Sequence, residues 1–305
     1  MWGRSSSPTR SIECGRMDPA SFLEPPSDSA ALRCFVERFH VAIEGSPREV
    51  LSSAARAFAR IPYENLSKIV KRDREGSARS AFRSPLEVLQ DHLDSGAGGT
   101  CFSLTAALLH LLRALGFEAE PLLADRPYGP DTHCAVRVVL DGVPHLVDPG
   151  YLVVEPVPLV APRVGESGQV RVETSFNEVL LTARDGGARV DLETVQGGSR
   201  VRRLAFRTLP ADASQLVKAW EASFGWDMMR YPLLTRIRQR DGAQVYLQGT
   251  HLQVRTRSGV ERRVVPIDSL PAVVEEELGV RSGLAREALE VLSRRGELRA
   301  GAFCR

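Results

Sequence analysis

The chain has 305 residues, of which 43% are hydrophobic and 26% charged, as in an ordinary globular protein with room for two domains or one domain with additions. Its 40 basic and 38 acidic residues leave a formal net charge of +2, so neither a nucleic-acid footprint nor a membrane-surface footprint is visible at the level of the whole chain. Only three of the basic residues are lysines, and any anion site here would therefore be built from arginine forks.

The five cysteines are widely spaced and odd in number, and no two of them form a Cys-x-x-Cys pair. This pattern argues against a zinc ribbon and a disulfide framework, and reduced thiols are its simplest interpretation. No apolar run approaches the roughly 20 residues that a membrane-spanning helix requires. We therefore expect a cytoplasmic protein without a metal site, a membrane contact or a nucleic-acid partner.

The first elements along the chain are predicted to be a tail and a group of helices. Residues 1–28 are rich in Ser, Pro and Arg, which favours a disordered tail. Apolar residues recur at helical spacing from Ala30 to Ala59, where Ser46-Pro47 has the form of a helix start. Ser84-Pro85-Leu86-Glu87 then carries a capping-box pattern that opens a further helix.

The most informative segment is 96–117, where a flexible Gly-rich turn leads into a helix with a stripe of leucines that ends at Gly116. Cys101 lies in the first turn of this helix. A thiol is a useful nucleophile only as the thiolate, and the free N–H groups at a helix N-terminus favour that anion. The alternative is a small buried cysteine without a reactive role, which is the commonest fate of a free thiol.

After this helix the apolar period changes to two, and residues 135–148 predict a β-hairpin with an Asp-Gly turn. His133 and Asp148 flank that turn at similar distances, so they can be neighbours. An imidazole held by a carboxylate can take the proton of a thiol and return it to a leaving group. Alone, His133 could be a satisfied loop histidine and Asp148 a turn residue. Together with Cys101 they predict a Cys-His-Asp triad.

Strands, a helical segment and a mixed region follow the hairpin. The elements predicted beyond it are strands near 152–160, 168–174, 178–184 and 188–195, a helical region at 211–231, strands near 234–239, 244–248, 251–257 and 260–265, and helices at 270–277 and 283–294.

Other histidines, cysteines and arginine pairs carry weaker signals. Cys134 should point to the opposite face of its strand from His133 and pack in the core. His145 is either structural or substrate-facing, and a zinc site built from these residues lacks any standard ligand spacing. The remaining candidates are expected to be satisfied or solvated groups, with phosphate binding as the alternative for the arginine pairs: His92, His110, Arg202-Arg203 and Arg262-Arg263.

Four stretches between about residues 60 and 151 resemble the arylamine N-acetyltransferase family, and the rest of the chain agrees in layout only. The matching stretches are 61–66, which resembles the family's I-P-F-E-N-L; 98–102, which resembles R-G-G-x-C-F; 115–117, which matches L-G-F; and 133–139 with 146–151, which resemble its H-x-x-hydrophobic strand and L-V-D-V-G-F.

The resemblance implies an α+β fold in three parts: an N-terminal helical bundle with the catalytic cysteine at 29–118, a central β-barrel with the His and Asp at 119–205, and a C-terminal α/β lid with a final helix at 206–305. It also implies transfer of an acyl group, above all acetyl, from a thioester such as acetyl-coenzyme A (acetyl-CoA) through an acyl-cysteine to a small-molecule amine. No cofactor would be bound permanently.

Carried over residue by residue, Cys101 would be the nucleophile, His133 the base and Asp148 the orienting acid. The side chains expected to bind substrate are Phe102, Tyr63 and Tyr151.

The sequence departs from the family pattern near the nucleophile. Ala97 stands where the family has Arg and Ser103 where it has Glu, which removes two charged groups, and Pro149 and Tyr151 replace a hydrophobic residue and a Phe. The triad is kept, but the donor and acceptor stay open and include carrier-bound acyl chains. Transglutaminase-like or cysteine-peptidase-like amide chemistry and an inert binding module on the same fold are the alternatives.

Overall fold

The computed structural model of the protein describes residues 29–159, 168–196 and 199–297, so the tail predicted at 1–28 lies outside the described residues. Helices come first, and two of them begin at capping boxes in which a serine side chain and a glutamate satisfy the first free N–H groups. The helices of this part are α1 Ala30–Arg38, α2 Pro47–Phe58, α3 Leu66–Glu75, α4 Pro85–Ser95 and α5 Cys101–Ala114.

Helix α5 is the centre of the N-terminal part. It is apolar almost all round, and nearly every residue from Cys101 to Leu112 is buried, as expected for a helix that others surround. It packs against α2 and α4 on one side and against the first barrel strands on the other. Each fully buried leucine of this helix contributes roughly 1.5–3 kcal/mol to the free energy of unfolding, so the start of α5 is held on a rigid element.

The middle of the chain forms one antiparallel eight-stranded sheet, nearly closed into a barrel, in the order β5-β4-β3-β2-β9-β8-β7-β6. The predicted hairpin is confirmed, with Val136 opposite Val147; its first strand begins earlier than predicted, so His133 lies inside β3. The strands are β2 Ala119–Arg126, β3 Gly129–Leu140, β4 Val143–Asp148, β5 Val153–Pro158, β6 Gln169–Glu173, β7 Glu178–Arg184, β8 Arg189–Gln196 and β9 Ser199–Arg207.

The C-terminal part is a five-stranded sheet with helices packed against it. Its edge strand is β1, Tyr63–Glu64, which comes from the N-terminal part and pairs with β10. The region predicted as helical at 211–231 forms α6 and short 3-10 turns. The other elements are α6 Ala213–Ala222, β10 Leu233–Ile237, β11 Gln244–Gln248, β12 His251–Arg255, β13 Val260–Val264, α7 Leu270–Leu278 and α8 Ser282–Arg294.

The α+β class and its three-part layout therefore agree with the prediction, while the limits 29–118, 119–205 and 206–305 remain our proposed division. Strand β9 runs two residues past the proposed limit at 205. In the described part of the chain, no helix has both the length and the apolar character needed to cross a membrane.

Candidate active site

A turn of small residues delivers Cys101 to the start of α5. The backbone of Gly99 is clamped on both sides, because its N–H donates to the Pro62 carbonyl at 3.3 Å and its carbonyl accepts from Glu64 N–H at 2.9 Å. A Cβ at Gly98 would collide with the Pro62 carbonyl oxygen. The turn thus needs glycine for close approach of two backbone segments, and this packing fixes where the cysteine enters its helix.

Buried charges brace the same turn. Glu64 accepts from the Gly98 N–H at 3.2 Å and from the Ser67 N–H at 2.9 Å. Arg83 donates to the Gly98 carbonyl, to the Ser67 hydroxyl at 2.8 Å and to Asp91 at 2.6 Å. The Arg83 and Glu64 side chains are 4% and 0% exposed. A guanidinium therefore lies against the turn although Ala97 supplies none.

Asn65 ties this region to the C-terminal sheet. Its side chain donates to the carbonyls of Met228 and Tyr231 and accepts from the Leu233 N–H at 2.8 Å. The 61–66 segment thus joins the turn before Cys101 to strand β10, which explains why its polar residues are buried.

The predicted histidine and aspartate meet in the barrel wall. His133 Nε2 lies 2.7 Å from Asp148 Oδ2, and both side chains are fully buried. The other Asp148 oxygen accepts from the Tyr151 N–H at 2.9 Å. Burial alone would lower the pKa of His133, but the Asp148 carboxylate and the Cys101 sulfur outweigh it and raise the pKa to about 9. The imidazole is therefore held as a cation at neutral pH.

Three groups of the barrel side converge on the Cys101 sulfur. A hydrogen bond from the Cys134 thiol lowers the Cys101 pKa most, burial opposes this, and His133 and Arg126 lower the pKa further, so that it falls well below its usual range. Cys134 is buried as predicted, and its own pKa is raised well above the usual value by burial first and by Cys101 next. Its Sγ also lies 3.4 Å from Thr105 Oγ1. The contact with Cys101 was not predicted.

Arg126 is a further neighbour of the site that sequence reasoning missed. Its Nη2 lies 3.4 Å from His133 Nδ1. No strand was predicted at 119–126 from the sequence; in the fold this segment is β2, and Ala124 lies opposite His133 across the β2–β3 pair. A register shift between Ala124 and Arg126 places Arg126 opposite Gly129, and no signal in the sequence pointed to this placement.

Gly150 lies against both the nucleophile and the base. A Cβ built on it would lie 3.0 Å from both Cys101 Cβ and His133 Cε1. Only glycine leaves these two side chains in place, so the residue two positions after Asp148 controls the spacing between nucleophile and base.

The residues expected to bind substrate have different surroundings. Tyr63 is buried, interacts with the Cys101 sulfur, and has its pKa raised well above the usual value mainly by burial. Tyr151 is half-buried, and burial raises its pKa to about 12 despite the nearby arginines 203 and 126. Phe102 instead packs in the helical core, with its ring centroid 6.1 Å from those of Trp220 and Trp226. Its contacts favour a structural role.

The other sequence candidates lie away from the triad. His145 contacts Arg48 at 3.2 Å and the Val143 carbonyl at 2.9 Å, and His92 contacts the Ala97 carbonyl at 3.1 Å. In the described ranges, no three His, Cys, Asp or Glu side chains cluster as metal ligands would.

A protein-family model described as N-acetyltransferase matches residues 49–286, most of the chain. The chain belongs to the arylamine N-acetyltransferase family. It is accordingly an enzyme of the arylamine N-acetyltransferase type. A comparison with curated proteins found no match.

Solved arylamine N-acetyltransferases share the fold at low sequence identity. The enzyme from Mycobacterium abscessus is 19% identical over 86% of this chain and 94% of its own, with a TM-score of 0.71. That from Nocardia farcinica is 22% identical over 92% and 99%, also at 0.71. An enzyme from Bacillus cereus, described as having a Cys-His-Glu catalytic triad, is 17% identical over 83% and 100%, at 0.64.

Proposed function

We propose that this acetyltransferase-family enzyme moves an acyl group, acetyl first of all, from a thioester such as acetyl-CoA to a small-molecule amine through an acyl-Cys101 intermediate. The observation that carries the proposal is the closed triad: a sulfur with a lowered pKa beside an imidazole that Asp148 holds at 2.7 Å. A thiolate poised next to a proton donor is what thioester exchange requires.

In the first half-reaction the Cys101 thiolate attacks the thioester carbonyl carbon. The tetrahedral oxyanion is stabilised by free backbone N–H groups at the start of α5, and the N–H of Cys101 is our candidate donor. When the bond to the donor sulfur breaks, His133 gives its proton to the leaving thiolate. The donor departs as a thiol and the enzyme is left with an acyl-cysteine and a neutral imidazole.

In the second half-reaction a neutral amine attacks the acyl-cysteine. His133 takes the proton that the nitrogen sheds, and the bond from the carbonyl carbon to Cys101 Sγ breaks. The amide leaves, and the thiolate and imidazolium are restored. Asp148 keeps the ring orientation and its charge balance through both steps. Tyr63 and Tyr151 are the proposed substrate contacts beside Cys101. Phe102 contributes only indirectly, because it packs behind the nucleophile.

The inert-module alternative requires an unactivated thiol, and the contacts of Cys101 argue against it. Amide chemistry of the transglutaminase or peptidase kind uses the same triad. It stays the second candidate, in which Cys101 attacks an amide and not a thioester. The cytoplasmic location and the absence of a nucleic-acid partner likewise remain proposals, based on composition.

Intact-protein mass spectrometry after mixing with acetyl-CoA tests the proposal. We expect one acetyl group per chain, mapped to the peptide that contains Cys101 and lost when an arylamine is added. Cys101→Ala should take up none, while Cys34→Ala, which changes an exposed cysteine, should behave as the parent. An unlabelled parent that is instead labelled by a thiol-directed amide analogue would overturn thioester transfer in favour of amide chemistry.

A further inference from the structure

Two free thiols meet at the nucleophile. Cys101 begins helix α5 and Cys134 lies in strand β3, and the two residues are 2% and 0% exposed. The Cys134 thiol donates a hydrogen bond to the Cys101 sulfur. The proposed acyl transfer forms and breaks bonds at only one of these sulfurs. The second thiol is therefore available for chemistry of its own.

Thr105 ties the two elements together beside the sulfurs. It lies one turn after Cys101, on the same face of α5. Its hydroxyl donates to the Cys134 carbonyl at 3.2 Å, and its Oγ1 lies 3.4 Å from Cys134 Sγ. Both the backbone and the side chain of Cys134 are thus held against the first turns of α5. The contact between the two sulfurs therefore follows from the packing of α5 on β3.

The two thiols carry different charges. The pKa of Cys101 falls well below its usual range, first through the hydrogen bond from Cys134 and then, against burial, through the neighbouring cations. The pKa of Cys134 is raised well above its usual value, first by burial and next by Cys101. The pair therefore holds one thiolate and one thiol. A peroxide oxidises the thiolate of such a pair, and the adjacent thiol can resolve the product.

We propose that Cys101 and Cys134 form a reversible disulfide when a hydroperoxide oxidises the nucleophile, so that peroxide switches the enzyme off and a thiol reductant restores it. The inference goes beyond the proposed acyl transfer and needs only the thiolate. The oxidant is hydrogen peroxide or a small organic hydroperoxide, because the reacting sulfur is buried.

Two steps lead to the disulfide with hydrogen peroxide. In the first, the Cys101 thiolate attacks a peroxide oxygen, the O–O bond breaks, and the leaving hydroxide takes a proton from His133 and departs as water. Cys101 is oxidised by two electrons to a sulfenic acid, and the peroxide is reduced. In the second step the Cys134 sulfur attacks Cys101 Sγ, the S–O bond breaks, and the hydroxyl leaves as water with the Cys134 proton.

The first step favours the second. After burial, the Cys101 thiolate is the next cause of the raised pKa of Cys134, and its negative charge disappears when the sulfenic acid forms. Cys134 then loses its proton more easily at the moment when it must attack. Because the two sulfurs are already in contact, the effective concentration of Cys134 exceeds that of a thiol in solution.

Peptide mapping follows the two cysteines separately, because trypsin cuts at Arg113 and leaves them on different peptides. The reduced full chain is treated with hydrogen peroxide, quenched with catalase, blocked with N-ethylmaleimide under denaturing conditions and digested without reductant. We expect the Cys101 and Cys134 peptides to be cross-linked, with the loss of two hydrogen atoms. Iodoacetamide labelling of Cys101 in the native chain should be lost, and dithiothreitol should restore it.

Variants of Cys134 test the resolving role, each compared with its own untreated sample. In Cys134→Ser and Cys134→Ala, dimedone should trap Cys101 as a sulfenic acid. Further peroxide should convert it to a sulfinic acid, which dithiothreitol does not reduce, so labelling should stay lost. Cys34→Ala removes an exposed thiol and is the matched control, with the cross-link and the recovery of the parent. Thermal unfolding shows whether each variant is folded, and the parent map decides the pairing without them.

Several results would overturn the inference. Peroxide could leave Cys101 unchanged, leave Cys134 open to N-ethylmaleimide, or link Cys101 to a different cysteine. Equal recovery of labelling in the parent and in folded Cys134 variants would also contradict it. Acylation by acetyl-CoA is scored separately. A chain that forms the disulfide but takes up no acyl group supports the inference and contradicts only the proposed function, and a chain that is acylated but never cross-linked gives the reverse.

Discussion

The polar groups on the two sides of Cys101 make different kinds of contact. On the turn side, Glu64 and Arg83 both bind the backbone of Gly98, and Arg83 also pairs with Asp91. None of these contacts reaches the sulfur. On the barrel side, His133, Arg126 and Cys134 all act on the sulfur itself. The difference teaches that one side fixes the position of the nucleophile while the other sets its charge. Changes on the turn side should therefore cost stability, and changes on the barrel side should alter chemistry in a chain that stays folded.

Removing the guanidinium of the turn side tests this division most severely. Arg83→Ala leaves Glu64 as a buried, uncompensated carboxylate, and we expect the free energy of unfolding to fall by about 3–5 kcal/mol, measured by urea denaturation. Acyl transfer should fall with it, because the turn before Cys101 loses its brace. Arg79 lies in the same loop as Arg83, and Arg79→Ala, which breaks an exposed pair with Glu221 of α6, should change stability by no more than about 1 kcal/mol. Equal losses in the two variants would remove the structural role of Arg83.

A single methyl group between nucleophile and base is expected to have the next largest effect. The Cβ of Gly150→Ala would lie 3.0 Å from both Cys101 and His133, so one of them must move. A misplacement of about 1 Å can cost about 100-fold in rate, and the shift needed here is smaller, so we expect a loss of roughly tenfold in single-turnover acylation with little change in unfolding temperature. Gly259→Ala, where a methyl group meets open space, is the control. Unchanged transfer in Gly150→Ala would show that the spacing at the triad is not critical.

The sequence could predict what local signals encode. Cys101 is marked by a helix start after glycines, and His133 and Asp148 by a tight hairpin turn; both signals depend on residues close along the chain. Arg83, Arg126 and Cys134 reach the site through packing of separate elements, which no local pattern specifies. Cys134 shows the limit well: its burial followed from the strand alternation, but its contact with Cys101 depends on how α5 crosses the sheet. The tie from Asn65 to β10 spans more than 160 residues and is equally invisible in the sequence.

The charge set by the barrel side should be visible in the pH dependence of two reactions. Alkylation of Cys101 needs only the thiolate, so its rate should already be on a plateau at neutral pH and stay there as pH rises, given the lowered pKa of the thiol. Transfer from a thioester also needs the His133 proton, and we expect it to fall about tenfold per pH unit above the imidazole pKa of about 9. Iodoacetamide labelling and acylation, measured over the same pH range and corrected with Cys101→Ala, separate the thiolate requirement from the proton requirement. A parallel fall of alkylation and transfer above pH 9 would contradict the separate roles of thiol and imidazole.

His133 and Cys101 contribute to the free energy of unfolding with opposite pH dependences. The raised pKa of His133 stabilises the folded chain fully below the unfolded value of about 6.5, and this stabilisation is lost as pH rises through about 9. The lowered pKa of Cys101 acts in reverse: its stabilisation is complete above the unfolded thiol value of about 8.5 and is lost as pH falls through the folded pKa. Between the two unfolded values, one contribution falls with pH while the other rises, so their pH dependences oppose each other.

The smallest change expected on the barrel side concerns Cys134, whose thiol donates to the Cys101 sulfur and lowers its pKa more than any other neighbour does. Cys134→Ala removes that donor from a buried site, whereas Cys134→Ser keeps an O–H at the same position. Because one hydrogen bond to a charged group is worth about 1.5–3 kcal/mol, we expect the Ala variant to raise the Cys101 pKa by one to two units, on the order of that free energy, and to slow alkylation at neutral pH. The Ser variant should stay close to the parent. Both variants remove the sulfur atom, so a loss that appears equally in Ala and Ser would identify the packing of that sulfur, and not the hydrogen bond, as the contribution of Cys134. The barrel side would then set the charge of Cys101 through His133 and Arg126 alone.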